Sequence, residues 1–161
     1  MSLKDYANTS LNSAIYDATQ WRTRADTAIM DFQQRFIQDM ERHVDHFNSN
    51  VAPGKNGKHR LTAENPSNYI NSIPSLRIRY DRKDSYHNNR PHFQTTLASD
   101  DTYKYYLIWV NNDEEAEYCM SKIISFLKNE GLTIIECHHL TSGIIFKGKE
   151  GGYIIRYYLE W

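Results

Sequence analysis

Residues 10–48 read SLNSAIYDATQWRTRADTAIMDFQQRFIQDMERHVDHFN, and the rest of the chain has to fit around them. No Pro or Gly occurs between Met1 and Ala52, so nothing in the backbone chemistry forces a break. Apolar residues recur at Leu11, Ile15, Ala18, Ala25, Ile29, Phe32, Phe36, Met40, Val44 and Phe47. Steps of three and four, with one gap of seven, are the signature of an amphipathic helix. Thr9 or Ser10 can cap its start. Asn48-Ser49-Asn50, followed by Pro53-Gly54, marks its stop. The expected helix therefore runs from about 10 to about 48.

Length makes this helix unusual. Its 39 residues span roughly 58 Å at 1.5 Å each. A compact chain of 161 residues has a diameter of about 40 Å. A straight helix must therefore overhang its own globule, unless it bends near Thr19–Thr23. The apolar positions drift by threes and fours without strict heptads, and the stripe is denser from Ala25 to Phe47. That half is expected to lie on a sheet. The Leu11–Trp21 half is expected to project, fold back or meet a partner.

After the helix, about 49–73 reads as a long mobile loop rich in Asn, Ser, Gly and Lys. From Ser75 the apolar period becomes two, with Leu76, Ile78 and Tyr80 opposite Arg77 and Arg79. Strands are expected there, at His92–Ala98 and at Tyr103–Val110, the last two joined as a hairpin through Ser99-Asp100-Asp101. Asn112 with Glu115 resembles a capping box, and the acids 113–115 suit the positive end of a helix dipole. Ala116, Cys119, Met120, Ile123, Ile124 and Leu127 supply that second helix's stripe, and Gly131 its left-handed stop. Strands at Leu132–Leu140, Gly143–Lys147 and Gly152–Glu160 complete the order α-βββ-α-βββ. The expectation is a single α+β domain over 1–161, with helices packed on an antiparallel sheet.

Composition narrows the class. A chain of this length buries a sizeable core unaided. Two cysteines, Cys119 and Cys137, are too few for a disulfide framework and sit among apolar neighbours, as buried thiols do. The N-terminus has no basic segment followed by an apolar run, and no apolar stretch reaches the length of a membrane span. A cytoplasmic protein with no membrane contact is expected. The net charge of −1 hides a split. Residues 51–96 carry eight bases against three acids, and residues 97–136 three bases against eight acids.

Catalytic and metal signatures are weak. Asp39, His43 and His46 share one helix face, but a His-Glu-x-x-His core is missing. Cys137, His138 and His139 are consecutive on a strand, so their side chains alternate. A Gly-x-Ser-x-Gly elbow, a phosphate-binding lysine loop and a Cys-x-x-Cys pair are all absent. No cofactor, metal or catalytic residue is assigned, and the chain leans away from being an enzyme. The expectation is a small adaptor, inhibitor or regulatory protein that binds another protein or a second copy of itself. Its candidate contact residues are Leu11, Ile15, Trp21, Tyr106 and Tyr158, since Trp and Tyr are enriched where interfaces bind tightly. The rival is a nucleic-acid module using Lys55, Lys58, Arg60, Arg77, Arg79, Arg82, Lys83 and Arg90 with interleaved aromatics, although a near-neutral isoelectric point argues against it. A third reading, a small His-based hydrolase or nuclease, rests on His139-Leu140-Thr141 and Asp81-Arg82-Lys83.

Overall fold

The computed structural model describes residues 2–50, 59–62, 73–80, 92–99, 104–140 and 152–161, with backbone only for 92–99, 104 and 140. Two helices, α1 (Leu3–Ser49) and α2 (Asp113–Asn129), pack on a sheet of six described strands. The strands are β1 (Arg60–Thr62), β2 (Ser75–Tyr80), β3 (His92–Ser99), β4 (Lys104–Val110), β5 (Thr133–Leu140) and β6 (Gly152–Glu160). The expected α+β layering is what the chain adopts.

The sheet is built around β6. Tyr158 pairs with both Thr62 and Thr133, and Ile155 with both Leu76 and Cys137. So β5 runs along one flank of β6, while β1 and β2 lie end to end along the other. Beyond β2 come β4 and then β3. The sheet is mixed, not wholly antiparallel: β2 runs parallel to β4, with Leu76 opposite Tyr106 and Ile78 opposite Ile108. The hairpin partner of β4 is β3, and β4 itself takes the inner position. Its run from Tyr105 to Ile108 is buried on both faces, as an interior strand requires.

Three other expectations change. The stretch 49–73 is not one loop: His59 exchanges two backbone hydrogen bonds with Trp161, at 2.7 and 3.0 Å, and β1 continues that ladder. The rest of that stretch, the turn after Ser99 and the expected strand 143–147 lie outside the described residues. In α2 the buried line is Ala116, Cys119, Ile123 and Leu127, and Ile124 is only half-buried at its margin. Cys137 is exposed, with its Sγ 3.3 Å from Met120 Sδ.

The ends of α2 follow local chemistry. Asn112 Oδ1 accepts the Glu115 amide at 3.0 Å. The Glu115 carboxylate accepts the Asn111 amide at 2.7 Å, one residue earlier than the reciprocal bond of a capping box. At the other end Gly131 has φ of +88°. Its amide donates to the Lys128 carbonyl and the Leu132 amide to the Leu127 carbonyl, both at 3.0 Å. That bond pair is a Schellman stop, open to Gly because the left-handed region penalises a Cβ.

α1 is continuous and starts earlier than expected. Ser2 is its cap: its Oγ accepts the Asp5 amide at 3.1 Å, and the Asp5 carboxylate accepts the Ser2 amide at 3.2 Å. Thr19 and Thr23 do not break it. From Ala25 onward it lies on the sheet face that carries Leu76, Tyr106, Ile155 and Tyr157. Phe36 sits 5.5 Å from Tyr157, 5.9 Å from Tyr106 and 5.9 Å from Phe126 of α2, ring centre to ring centre. Each such buried side chain contributes about 1.5–3 kcal/mol. At the C-terminal end Phe47, His59 and Trp161 form an aromatic cluster, and Trp161 Nε1 donates to Asn48 Oδ1 at 3.2 Å.

Candidate functional site: the overhanging half of α1

Among the described residues, the aromatic contact nearest the N-terminus of α1 is made by Trp21. Its ring meets Tyr118 of α2 edge-on at 5.3 Å. The Tyr118 hydroxyl donates to the Asp26 carboxylate, and Arg22 lies 3.9 Å from Glu114. The Asp26 bond pushes the Tyr118 phenol up to about 12, with burial adding to it. Trp21 and Asp26 pair with Tyr118, while Phe32 and Phe36 pair with Phe126, so the two helices run in the same direction. α2 ends its support at the level of Trp21.

Gln20, just before Trp21, is half-buried. Every residue from 2 to 19 is exposed. α1 holds 47 residues, about 70 Å at 1.5 Å each, and the overhang accounts for about 26 Å of it. It carries large apolar side chains into solvent: Leu3 at 82% exposure, Tyr6 at 62%, Leu11 at 57%, Ile15 at 53% and Tyr16 at 63%. At about 100° per residue, Leu11, Ile15 and Ala18 lie within roughly 60° of the line that Phe36 presents to the sheet. The face buried in one half of the helix is therefore the face left bare in the other.

The overhang is also a poor helix on its own. Asn8, Thr9, Ser10, Asn12, Ser13 and Thr19 each cost about 0.5–0.7 kcal/mol against Ala, together roughly 3–4 kcal/mol. Thr9 and Thr19 turn their hydroxyls back to the carbonyls of Asp5 and Ile15 at 2.9 and 3.2 Å. The charges are only Lys4, Asp5 and Asp17, so side-chain ion pairs add little. The Ser2–Asp5 box holds the first turn, and the Ser2 bonds keep the Asp5 carboxyl below its usual value.

The expected contact residues divide between different places. Leu11 and Ile15 share the overhang, and Trp21 stands at its root. Tyr106 is not a surface residue: it is 2% exposed, lies against Phe32 and Phe36, and donates to Asp39 at 2.7 Å. Burial and that bond raise its phenol well above the ordinary range. Its neighbour Tyr105 takes the other face. Tyr158 lies on the helix-free face of the sheet, under the Arg60 guanidinium at 4.1 Å. Leu3, Tyr6 and Tyr16 belong with Leu11 and Ile15 on the overhang. The pattern Ser2-x-x-Asp5 was the signal that a helix begins early enough to include them.

Of the basic set, Arg60, Arg77 and Arg79 are described. Arg60 also bonds Glu160 at 3.0 Å. Arg77 is buried and stacks on Tyr105 at 3.9 Å, with Arg79 at 5.9 Å from the same ring. Lys55, Lys58, Arg82, Lys83 and Arg90 lie outside the described residues, as do residues 81–83 and 141 of the hydrolase reading. His139 lies 4.8 Å from the Tyr153 ring, and His138 is 3.5 Å from Glu136. Among the described residues no three His, Cys, Asp or Glu side chains gather as a metal site. Asp39, first of the expected helical triplet, is engaged by Tyr106 and Arg42. No described helix is long and apolar enough to cross a membrane.

No family model, curated protein or solved structure matches this chain.

Proposed function

We propose that the protein is a non-catalytic binding factor that acts through protein–protein contact, with the overhanging half of α1 as its contact element. The observation that carries this reading is the bare apolar stripe on residues 3–19, continuous with the stripe that the same helix buries on the sheet. An amphipathic helix offered outside its own globule is the geometry of helix-in-groove and helix-on-helix recognition. A contiguous apolar surface rimmed by polar residues marks an interaction site more often than a solvated face. The described arginines of the sheet's helix-free face lie on tyrosine rings and a carboxylate of the chain itself. That arrangement favours the protein-binding reading over the nucleic-acid one.

The test is affinity capture with the wild-type chain beside a Leu11→Asp/Ile15→Asp variant. Both positions are exposed, so the variant keeps its unfolding midpoint, and it loses the partners that the wild type retains. If the folded variant captures the same proteins in the same amounts, the overhang is not the contact element.

A further inference from the structure

We infer that Met120, Cys137 and His139 form a binding site for a soft monovalent metal ion of the copper(I) class. The site lies where α2 packs on β5, away from the overhang, so it stands or falls apart from the contact element proposed above.

Three donors from two elements converge there. Cys137 Sγ lies 3.3 Å from Met120 Sδ. Cys137 and His139 are two residues apart on β5, so their side chains leave the strand on the same side, about 6.7 Å apart at Cα. The register fixes which side. Cys137 pairs with Ile155 and His139 with Tyr153; Ile155 belongs to the buried core, and Tyr153 packs against it. His138 turns to the opposite face, 3.5 Å from Glu136. The Tyr153 ring, 4.8 Å from the His139 ring, steadies the imidazole beside the two sulfurs. Core filling would account for a buried thiol–thioether pair, but Cys137 and His139 are both exposed, and an ion can reach them.

The donor set selects the ion. Thiolate and thioether sulfur are soft ligands that favour copper(I), and imidazole suits copper as well. Structural zinc takes four ligands from Cys, His, Asp and Glu. Among the described residues no third side chain of those types joins Cys137 and His139; Met120 takes that place. Metal–sulfur bonds of about 2.3 Å set two sulfurs about 4.0 Å apart in a trigonal plane. Met120 need withdraw by only about 0.7 Å from its present position, which its unbranched side chain allows. Binding exchanges the Cys137 thiol proton for the ion: the proton goes to solvent, a thiolate–copper bond forms, and no oxidation state changes.

Anaerobic titration of the whole chain with copper(I), held by a coloured competing chelator, tests this. The wild type should withdraw one equivalent. Cys137→Ser should abolish binding, and Met120→Leu and His139→Gln should each weaken it at least about tenfold. Leu conserves the Met volume and His139 is exposed, so both variants should keep the wild-type unfolding midpoint. X-ray absorption at the copper edge should count two sulfurs and one imidazole nitrogen. If Met120→Leu and His139→Gln bind as tightly as the wild type, Cys137 acts as an ordinary exposed thiol and the site is overturned. A copper shell of two thiolates from two chains overturns it equally, and preference for zinc over copper(I) overturns the class of ion.

Discussion

Phe36 and Leu11 lie on one helix, about 20° apart in projection, and should respond very differently to truncation. Phe36 is fully buried, enclosed by Phe32, Tyr106, Phe126 and Tyr157 within 5.9 Å. Removing a ring from such a site loses its transfer free energy and leaves a cavity that the surrounding rings cannot close. The expected cost of Phe36→Ala is about 3–5 kcal/mol. For a chain of this size that lowers Tm by roughly 6–20 °C. Leu11→Ala removes a side chain that is 57% exposed and beyond the globule. Ala is also the better helix former, so stability should change by no more than about 0.5 kcal/mol. Urea unfolding followed by tryptophan fluorescence measures both, at concentrations low enough that association does not contribute. A loss above about 2 kcal/mol for Leu11→Ala would mean that the monomer covers the stripe. A loss below about 1 kcal/mol for Phe36→Ala would mean that α1 is not seated on the sheet.

Three further outcomes follow from local geometry. Gly152 has φ of +152°, and a Cβ there would stand 1.8 Å from the Ile78 carbonyl oxygen. Gly152→Ala must push β6 off β2, so it should cost more than about 3 kcal/mol or abolish folding; a wild-type Tm would refute the β2–β6 register. Burial, with Glu115 and Asp26 nearby, pushes the Cys119 thiol up to about 12, whereas Cys137 is exposed. A thiol reagent should therefore label one cysteine in the native protein and two in denaturant, and two fast labels would contradict the α2 face assigned here. Tyr106, Tyr118 and Tyr157 all have pKa values raised above the ordinary 10.0. Unfolded tyrosines lose their protons first, so stability should hold below pH 10 and fall as pH rises above it; a flat profile up to pH 12 would remove these bonds from the account.

The layered α+β plan, the long helix and both ends of α2 were legible because local chemistry specifies them. Stripe period, the Asn112 cap and Gly131 each act within a few residues. The early start of α1 was legible in principle, but Ser2 and Asp5 precede a polar run that hides the stripe. Tyr105 and Tyr106 could not be assigned to faces, because KYYLIWV is apolar in both alternations and only the position between β2 and β3 decides. The parallel β2–β4 pairing is a tertiary choice with no local signal. β1 has three residues and depends on a bond pair between His59 and Trp161 that is remote in sequence. The overhang followed from arithmetic, since a helix of that length exceeds the diameter of the globule.

Small-angle X-ray scattering extrapolated to infinite dilution tests the projecting helix most directly. A continuous α1 anchored only from Trp21 onward requires a maximum dimension of at least about 70 Å in the monomer. A value of about 40–45 Å, that of a compact chain of this length, would mean that the N-terminal half folds back, and the contact element would be lost with it.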